Sequence, residues 1–156
     1  MAKAATHSEK TNPTENPNLR RHTGGCHCGA VRYAVTVDAT HGTRCNCTIC
    51  TKLASLGVIL KPEAFELLAG EDALTHYSRH PEIASRHFCK HCGVHCYGNG
   101  TLEMLGGAFV SVNLNTIDDI DPAEVSVLNW DGRHNNWQAG PRPTPWPVRA
   151  PETDAA

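Results

Sequence analysis

The chain has no long apolar stretch and no surplus of basic residues. No run of about 18 apolar residues occurs among its 156 residues, so the sequence predicts no membrane-spanning helix. Residues 1–22 contain one Leu and no Val, Ile or aromatic residue, so they predict no secretory signal. With 14 Lys and Arg against 16 Asp and Glu, and 6% aromatic residues, the composition argues against nucleic acid as a partner. We therefore expect a cytoplasmic protein that contacts neither membrane nor nucleic acid.

Cysteine is the residue type that the chain has in excess. Seven of its eight cysteines form three groups, and clustered cysteines in a reducing compartment are more often metal ligands or catalysts than disulfides. Four outer sulfurs would complete a tetrahedral structural zinc site, whereas three central sulfurs would leave one position open, as in catalytic zinc sites. Sulfur ligation and abundance favour zinc over iron. The sequence thus predicts two Zn²⁺ per chain, at Cys26, Cys28, Cys89 and Cys92 for the structural ion and at Cys45, Cys47 and Cys50 for the catalytic ion.

Three alternatives remain open at this point. Cys96 could close the central group as a fourth ligand, which would make the protein a non-enzymatic zinc-scaffold interaction module. Alternation over Val94–Tyr97 instead favours Cys96 as a small buried apolar side chain. The cysteines could also serve a redox or metal-carrying role. His27 and His91 lie inside the outer motifs, but the sulfurs suffice as ligands without them.

The patterning predicts a mainly β fold in one domain, residues 23–148, between a disordered arm at 1–22 and a disordered tail at 149–156. A hairpin with a metal knuckle is expected around Cys89, and Asp131–Pro147, with four prolines, should be extended. Residues 65–68 and 73–77 should form two paired strands joined at Gly70, with a helix over 63–68 as the alternative. The other predicted elements are strands at 31–37, 56–60, 108–112 and 125–130, and one or two helical turns at 48–55.

A zinc ion held by three thiolates has its own chemical preference. The three negative charges make it a weak Lewis acid, so it should favour a soft fourth ligand over a hydroxide. A substrate thiol meets that preference, since metal binding lowers its pKa and holds it as a thiolate. A carbonyl carbon placed beside that sulfur would then be attacked. The central group therefore predicts addition of a thiol to an aldehyde.

Three motifs in this order resemble the glutathione-dependent formaldehyde-activating enzyme family, which includes relatives of centromere protein V. The motifs are Gly24–Tyr33, Cys45–Cys50 and Phe88–Gly93, and the resemblance extends over about residues 21–137. It implies a β-tent fold of small antiparallel sheets, with a structural zinc at the four outer cysteines and a catalytic zinc at the three central ones. It also implies a carbon-sulfur lyase that forms S-hydroxymethylglutathione from glutathione and formaldehyde.

The resemblance leaves the substrate and the C-terminal segment open. A small thiol, such as glutathione, and an aldehyde are the expected partners, and a homodimer stays open. The simplest hypothesis for the segment from Asp131 to Pro147 is that it packs over a sheet edge. A more specific hypothesis is that it covers the central zinc, with Arg142 or His134 facing an anionic substrate.

Overall fold

The computed structural model describes residues 16–149 and shows a mostly β protein. The strands form one sheet of three and one sheet of seven. The mainly β prediction is confirmed. The strands are β1 (Leu19–Gly25), β2 (Arg32–Asp38), β3 (His41–Cys45), β4 (Gly57–Leu60), β5 (Phe65–Ala69), β6 (Leu74–His80), β7 (Ala84–Cys89), β8 (His95–Leu102), β9 (Gly107–Asn113) and β10 (Ser126–Trp130).

Residues 16–149 contain one α-helix, which is short and begins within the central cysteine group. Helix α1 (Thr48–Leu53) lies between β3 and β4, where a helical turn was predicted, and Ala54 ends it in the left-handed conformation at φ 49°. The remaining helical turns are single turns of 3-10 helix. No helix within residues 16–149 has the length and apolar character needed to cross a membrane.

The three-stranded sheet has β2 at its centre, paired antiparallel with β1 and β5. Alternation in β2 places Tyr33, Val35 and Val37 in the core, as predicted, while Thr36 is exposed. Burying an apolar side chain of this size stabilises the fold by about 1.5–3 kcal/mol. The small sheet therefore packs one face on the core.

Cysteines of two groups lie at one end of the strands of the seven-stranded sheet. Its strand order is β10-β3-β4-β9-β8-β7-β6, and all neighbouring pairs are antiparallel except β10 with β3. Because the strand directions alternate from β3 to β7, the last residues of β3 and β7 lie at the same end of the sheet as the first residues of β8. Cys45 ends β3 and Cys89 ends β7. One parallel pair is thus present in a fold expected to be antiparallel.

Strand β5 pairs with β2, which corrects the expected pairing of the segments at 65–68 and 73–77. The two segments are strands, but they belong to different sheets, and β6 pairs with β7 instead. The reason is aromatic packing: the Phe65 ring lies 5.5 Å from that of Tyr33 and 4.5 Å from that of Tyr97. Gly70 then turns the chain at φ +89°, so close to Ala30 that an added Cβ would lie 2.1 Å from its carbonyl oxygen.

The predicted domain boundary at residue 22 falls too late. Strand β1 begins at Leu19, because residues 19–22 complete a ladder with the end of β2. Residues 1–15 of the expected arm and residues 150–156 of the expected tail lie outside the described residues. The segment after β10 was expected to be extended, yet it contains 3-10 turns at Gly132–His134 and Trp137–Ala139.

Candidate metal centres

The outer cysteine group joins the β1–β2 connection to the β7–β8 hairpin. Cys26 and Cys28 follow β1, and Cys89 and Cys92 form the knuckle of the hairpin, with Gly93 at φ +75° as predicted. The Cys26 and Cys28 sulfurs lie 3.5 Å apart, and those of Cys28 and Cys89 lie 3.6 Å apart. Zinc-sulfur bonds of about 2.3 Å in a tetrahedron place sulfurs about 3.8 Å apart. The spacing therefore suits a metal ion and is too long for disulfides.

Backbone amides donate to sulfurs of the outer group. The Val31 N–H donates to Cys26 Sγ at 3.3 Å. Amide N–H donors from Cys28 and Val94 lower the pKa of Cys92 to about 6. Such donors stabilise thiolates, which are the form that binds metal. These N–H donors therefore favour the deprotonated cysteines that bind a cation.

The central cysteine group is compact and half-buried. The sulfurs of Cys45, Cys47 and Cys50 all lie within 4.8 Å of one another. Cys47 occupies the N-cap position of α1, and Cys50 lies three residues later, which places both on one side of the first turn. An open cleft of about 240 Å³ lies beside two of the sulfurs, and its lining consists of Arg44, Cys45, Cys50, Thr51, Ala54 and Ser55.

The thiols of Cys45 and Cys47 in the central group have pKa values shifted in opposite directions. Hydrogen bonds from Cys45 and then Cys50 lower the pKa of Cys47 to about 2. The same interaction with Cys47 raises the pKa of Cys45. Arg86 adds positive charge that also lowers the pKa of Cys47. Protons shared among close sulfurs are replaced together when a cation binds, so this donor set fits a soft metal ion.

Asn46 fixes the central group against the segment after β10. Its Nδ2 donates to Asp131 Oδ1 at 2.7 Å, and its Oδ1 accepts from the Arg133 N–H at 2.8 Å. Asp131 is 4% exposed and also accepts from His134 Nδ1 at 2.7 Å. Gly132 lies so close that an added Cβ would be 2.5 Å from Cys45 Sγ. The segment therefore forms one wall of the site.

Cys96 lies apart from the central group. It is fully buried and its thiol donates to the Val94 carbonyl at 3.6 Å. Burial raises the pKa of Cys96 to about 12, with further contributions from the outer cysteines Cys26 and Cys89. It does not belong to either cluster of candidate metal ligands within residues 16–149. The position agrees with a small buried apolar side chain.

His27 and His91 do not lie where a metal ligand would, and Arg142 does not lie where a substrate-binding residue would. His27 and His91 are exposed and belong to neither cluster. The Arg142 guanidinium donates to the Thr144 and Pro145 carbonyls and stacks on Trp146 at 3.6 Å. Arg142 also pairs through its backbone with Asn129 of β10, so this part of the tail packs on the sheet edge. The expectation that Arg142 faces a substrate is wrong, because its own segment occupies its charge.

Two residues of the site escaped the sequence analysis: Asn46 and Asp131. Asn46 entered it only as part of the Cys45–Cys50 motif, and Asp131 only as the first residue of the segment after the last predicted strand. No local pattern signals their contact, because the two residues are 85 positions apart in the sequence.

Comparison with known proteins identifies one family. Residues 21–131 match the sequence model of a family described as glutathione-dependent formaldehyde-activating enzyme. A protein of Emericella nidulans named "Putative glutathione-dependent formaldehyde-activating enzyme" is 32% identical over 98 residues, which cover 58% of this chain and 49% of that protein. A protein of Pyrenophora teres f. teres with the same name is 30% identical over 89 residues, 53% of this chain and 46% of the relative. The chain thus spans about half the length of these relatives.

A crystal structure of a Rhodobacter sphaeroides protein has a similar fold. It superposes with a TM-score of 0.61 at 23% identity, over 69% of this chain and 98% of that chain. At this identity the likeness supports the fold and no shared activity.

Proposed function

The chain belongs to the glutathione-dependent formaldehyde-activating enzyme family, and we propose that it joins a small thiol to an aldehyde at the central cysteine group. The founding reaction of this type forms S-hydroxymethylglutathione from glutathione and formaldehyde, so the protein would be a carbon-sulfur lyase. The observation that carries the proposal is the open cleft beside a cluster of three sulfurs.

Both cysteine groups fit zinc by their donor chemistry. Four sulfurs with the spacing of the outer group suit a closed site, and three sulfurs beside a cleft suit an open one. A bound zinc at Cys45, Cys47 and Cys50 would supply a Lewis-acid position where a substrate sulfur loses its proton at neutral pH. Two zinc ions per chain are therefore part of the proposal.

The chain's own residues orient the reaction. The cleft beside Cys45 and Cys50 admits the thiol from one side. The wall made by residues 131–137, held by Asn46, restricts the other side. The two reactants then meet in a fixed geometry, which replaces a bimolecular encounter with an effectively unimolecular step. The thiol proton passes to solvent, the sulfur lone pair forms the new carbon-sulfur bond, and the carbonyl π electrons move to oxygen, which takes one proton back from solvent.

The position of Cys96 favours an open catalytic site over a scaffold module with two closed zinc sites. A scaffold with two closed sites requires a fourth protein ligand at the central group, and Cys96 is not part of that cluster. Nothing else among the described cysteines is available for that place, since the other four form the outer cluster.

The proposal is tested by serine variants at these two positions. Cys47→Ser should reduce the zinc content from two ions to one and lower the formation of S-hydroxymethylglutathione to the spontaneous rate, measured by NMR from glutathione and ¹³C-formaldehyde. Cys96→Ser should keep two zinc ions and most of the activity. The proposal is wrong if wild-type protein with two zinc ions does not exceed the spontaneous rate.

A further inference from the structure

The parallel pairing of β10 with β3 brings two tryptophans to the central cysteine group. The register places Trp130 opposite Cys45, the last residue of β3. Because residues in register on neighbouring strands project on the same face of a sheet, these two side chains lie side by side. The Trp137 ring lies 6.0 Å from the Trp130 ring, with an angle of 48° between their planes. The face of the sheet that carries Cys45 therefore also carries a pair of indole rings.

Gly132 allows the Trp137 ring and the Cys45 sulfur to approach each other. A Cβ added to Gly132 would lie 2.5 Å from Cys45 Sγ and 2.8 Å from Trp137 Cη2. It would also lie 3.2 Å from Cys47 Cβ. The edge of the indole ring and the side chains of two candidate metal ligands thus surround the same point, and a residue larger than glycine would separate them.

Trp137 keeps a large part of its ring exposed beside this group. Its exposed fraction is 40%. Leu128 lies two residues before Trp130, and therefore on the same face of β10, and it is 37% exposed. Exposed apolar side chains that lie together mark binding sites, whereas single ones carry no such meaning. An indole ring offers a flat apolar surface, so this surface beside Cys45 suits an apolar part of a reactant.

We propose that Trp137 determines which aldehydes the protein accepts, because its exposed ring packs against an alkyl group on the carbonyl carbon. The inference rests on the proposed function, in which an aldehyde meets a thiol sulfur at the central cysteine group. A carbonyl carbon that bonds to a sulfur at this group comes close to Cys45, and a short alkyl chain on that carbon reaches the indole ring. Formaldehyde carries hydrogen in place of the alkyl chain and gains nothing from the ring. The substrate class assigned by this surface is therefore short aliphatic aldehydes.

Substitutions at Trp137 test the assignment through a ratio of two rate constants. Trp137→Ala should lower the ratio of kcat/KM for butanal to kcat/KM for formaldehyde on the order of tenfold, because each methylene group that the ring buries contributes about fourfold. The ratio cancels the higher intrinsic reactivity of formaldehyde and any effect of the substitution on the fold. Trp137→Phe keeps an aromatic ring and should retain most of the ratio. Tyr77→Ala removes a 52% exposed aromatic side chain of β6 and is the matched control, which should keep the wild-type ratio.

Butyramide binding gives a readout that needs neither turnover nor a variant. Butyramide has the carbonyl group and the propyl chain of butanal but does not react with thiols. In zinc-loaded wild-type protein it should shift the indole ¹H–¹⁵N resonance of Trp137 in a saturable way, whereas formamide should not. An inactive wild type that shows this shift keeps the apolar site and loses the proposed function. The inference is overturned if Trp137→Ala keeps the wild-type ratio of kcat/KM values, or if butyramide leaves the Trp137 resonance unchanged.

Discussion

Loss of a ligand at the outer cysteine group should destabilise the fold far more than loss of one at the central group. Cys89 is fully buried and lies 61 residues from Cys28, whose sulfur it approaches at 3.6 Å. A metal bound there ties the three-stranded sheet to the hairpin of the larger sheet. Cys45 ends β3 and Cys50 lies in α1, only five positions later. A metal at the central group therefore closes a short local loop.

The size of the difference follows from loop closure. Cross-linking a loop of 61 residues removes unfolded-state entropy worth about 4 kcal/mol. The excess over a loop of five residues is about 2 kcal/mol from loop length alone. At roughly 2–4 °C per kcal/mol for a chain of this size, Cys89→Ser should lower the Tm by about 10 °C. It should also melt about 5 °C below Cys47→Ser.

Circular-dichroism melts at equal zinc content per folded chain measure this difference. Each serine variant removes one thiolate, so the two proteins differ in which loop is left open rather than in chemistry. Zinc per chain, measured after gel filtration, should fall to one in both variants. Equal Tm values for Cys89→Ser and Cys47→Ser, or an unchanged Tm for Cys89→Ser, would refute the reasoning.

Two further substitutions probe the wall of the central group. Asn46→Ala removes the hydrogen bond to Asp131, so zinc affinity at the central group should fall about 10–100-fold by competition with a chelator, and an unchanged affinity would contradict the positioning role. Gly132→Ala places a methyl group 2.5 Å from Cys45 Sγ and should lower the zinc content below two ions. Gly57→Ala, whose added Cβ meets nothing closer than 3.5 Å, is the matched control and should retain both.

The three short cysteine motifs were predictable because the spacing within each one is local. A spacing of two or three residues allows few backbone paths, and a turn with Gly93 in the left-handed region brings Cys89 and Cys92 together whatever surrounds them. Ligand counting then assigned the remaining sulfurs. Alternation over Val94–Tyr97 also predicted a buried Cys96, although β8 buries Cys96, Tyr97 and Gly98 in succession rather than alternately.

Strand partners were less predictable, because pairing depends on residues far apart in sequence. Adjacent segments usually pair, which favoured β5 with β6. The structure pairs β5 with β2 because Phe65 fills the space between Tyr33 and Tyr97, a packing choice that no local pattern encodes. The same applies to the link between Asn46 and Asp131, which are 85 residues apart.

The two cysteine groups lie at the same end of the seven-stranded sheet, so the outer group can affect the structure around the central one. Cys89 ends β7, and the same strand carries Arg86 three residues earlier, while His95 starts the strand that follows the knuckle. A metal at the outer group would fix the ends of both strands, and with them the face of the hairpin that carries the charge acting on Cys47 and Cys50. Loss of activity in Cys89→Ser is therefore expected even though Cys89 touches no substrate. For this reason the zinc content of every variant has to be measured together with its activity, since only a variant that keeps both zinc ions can separate catalysis from folding.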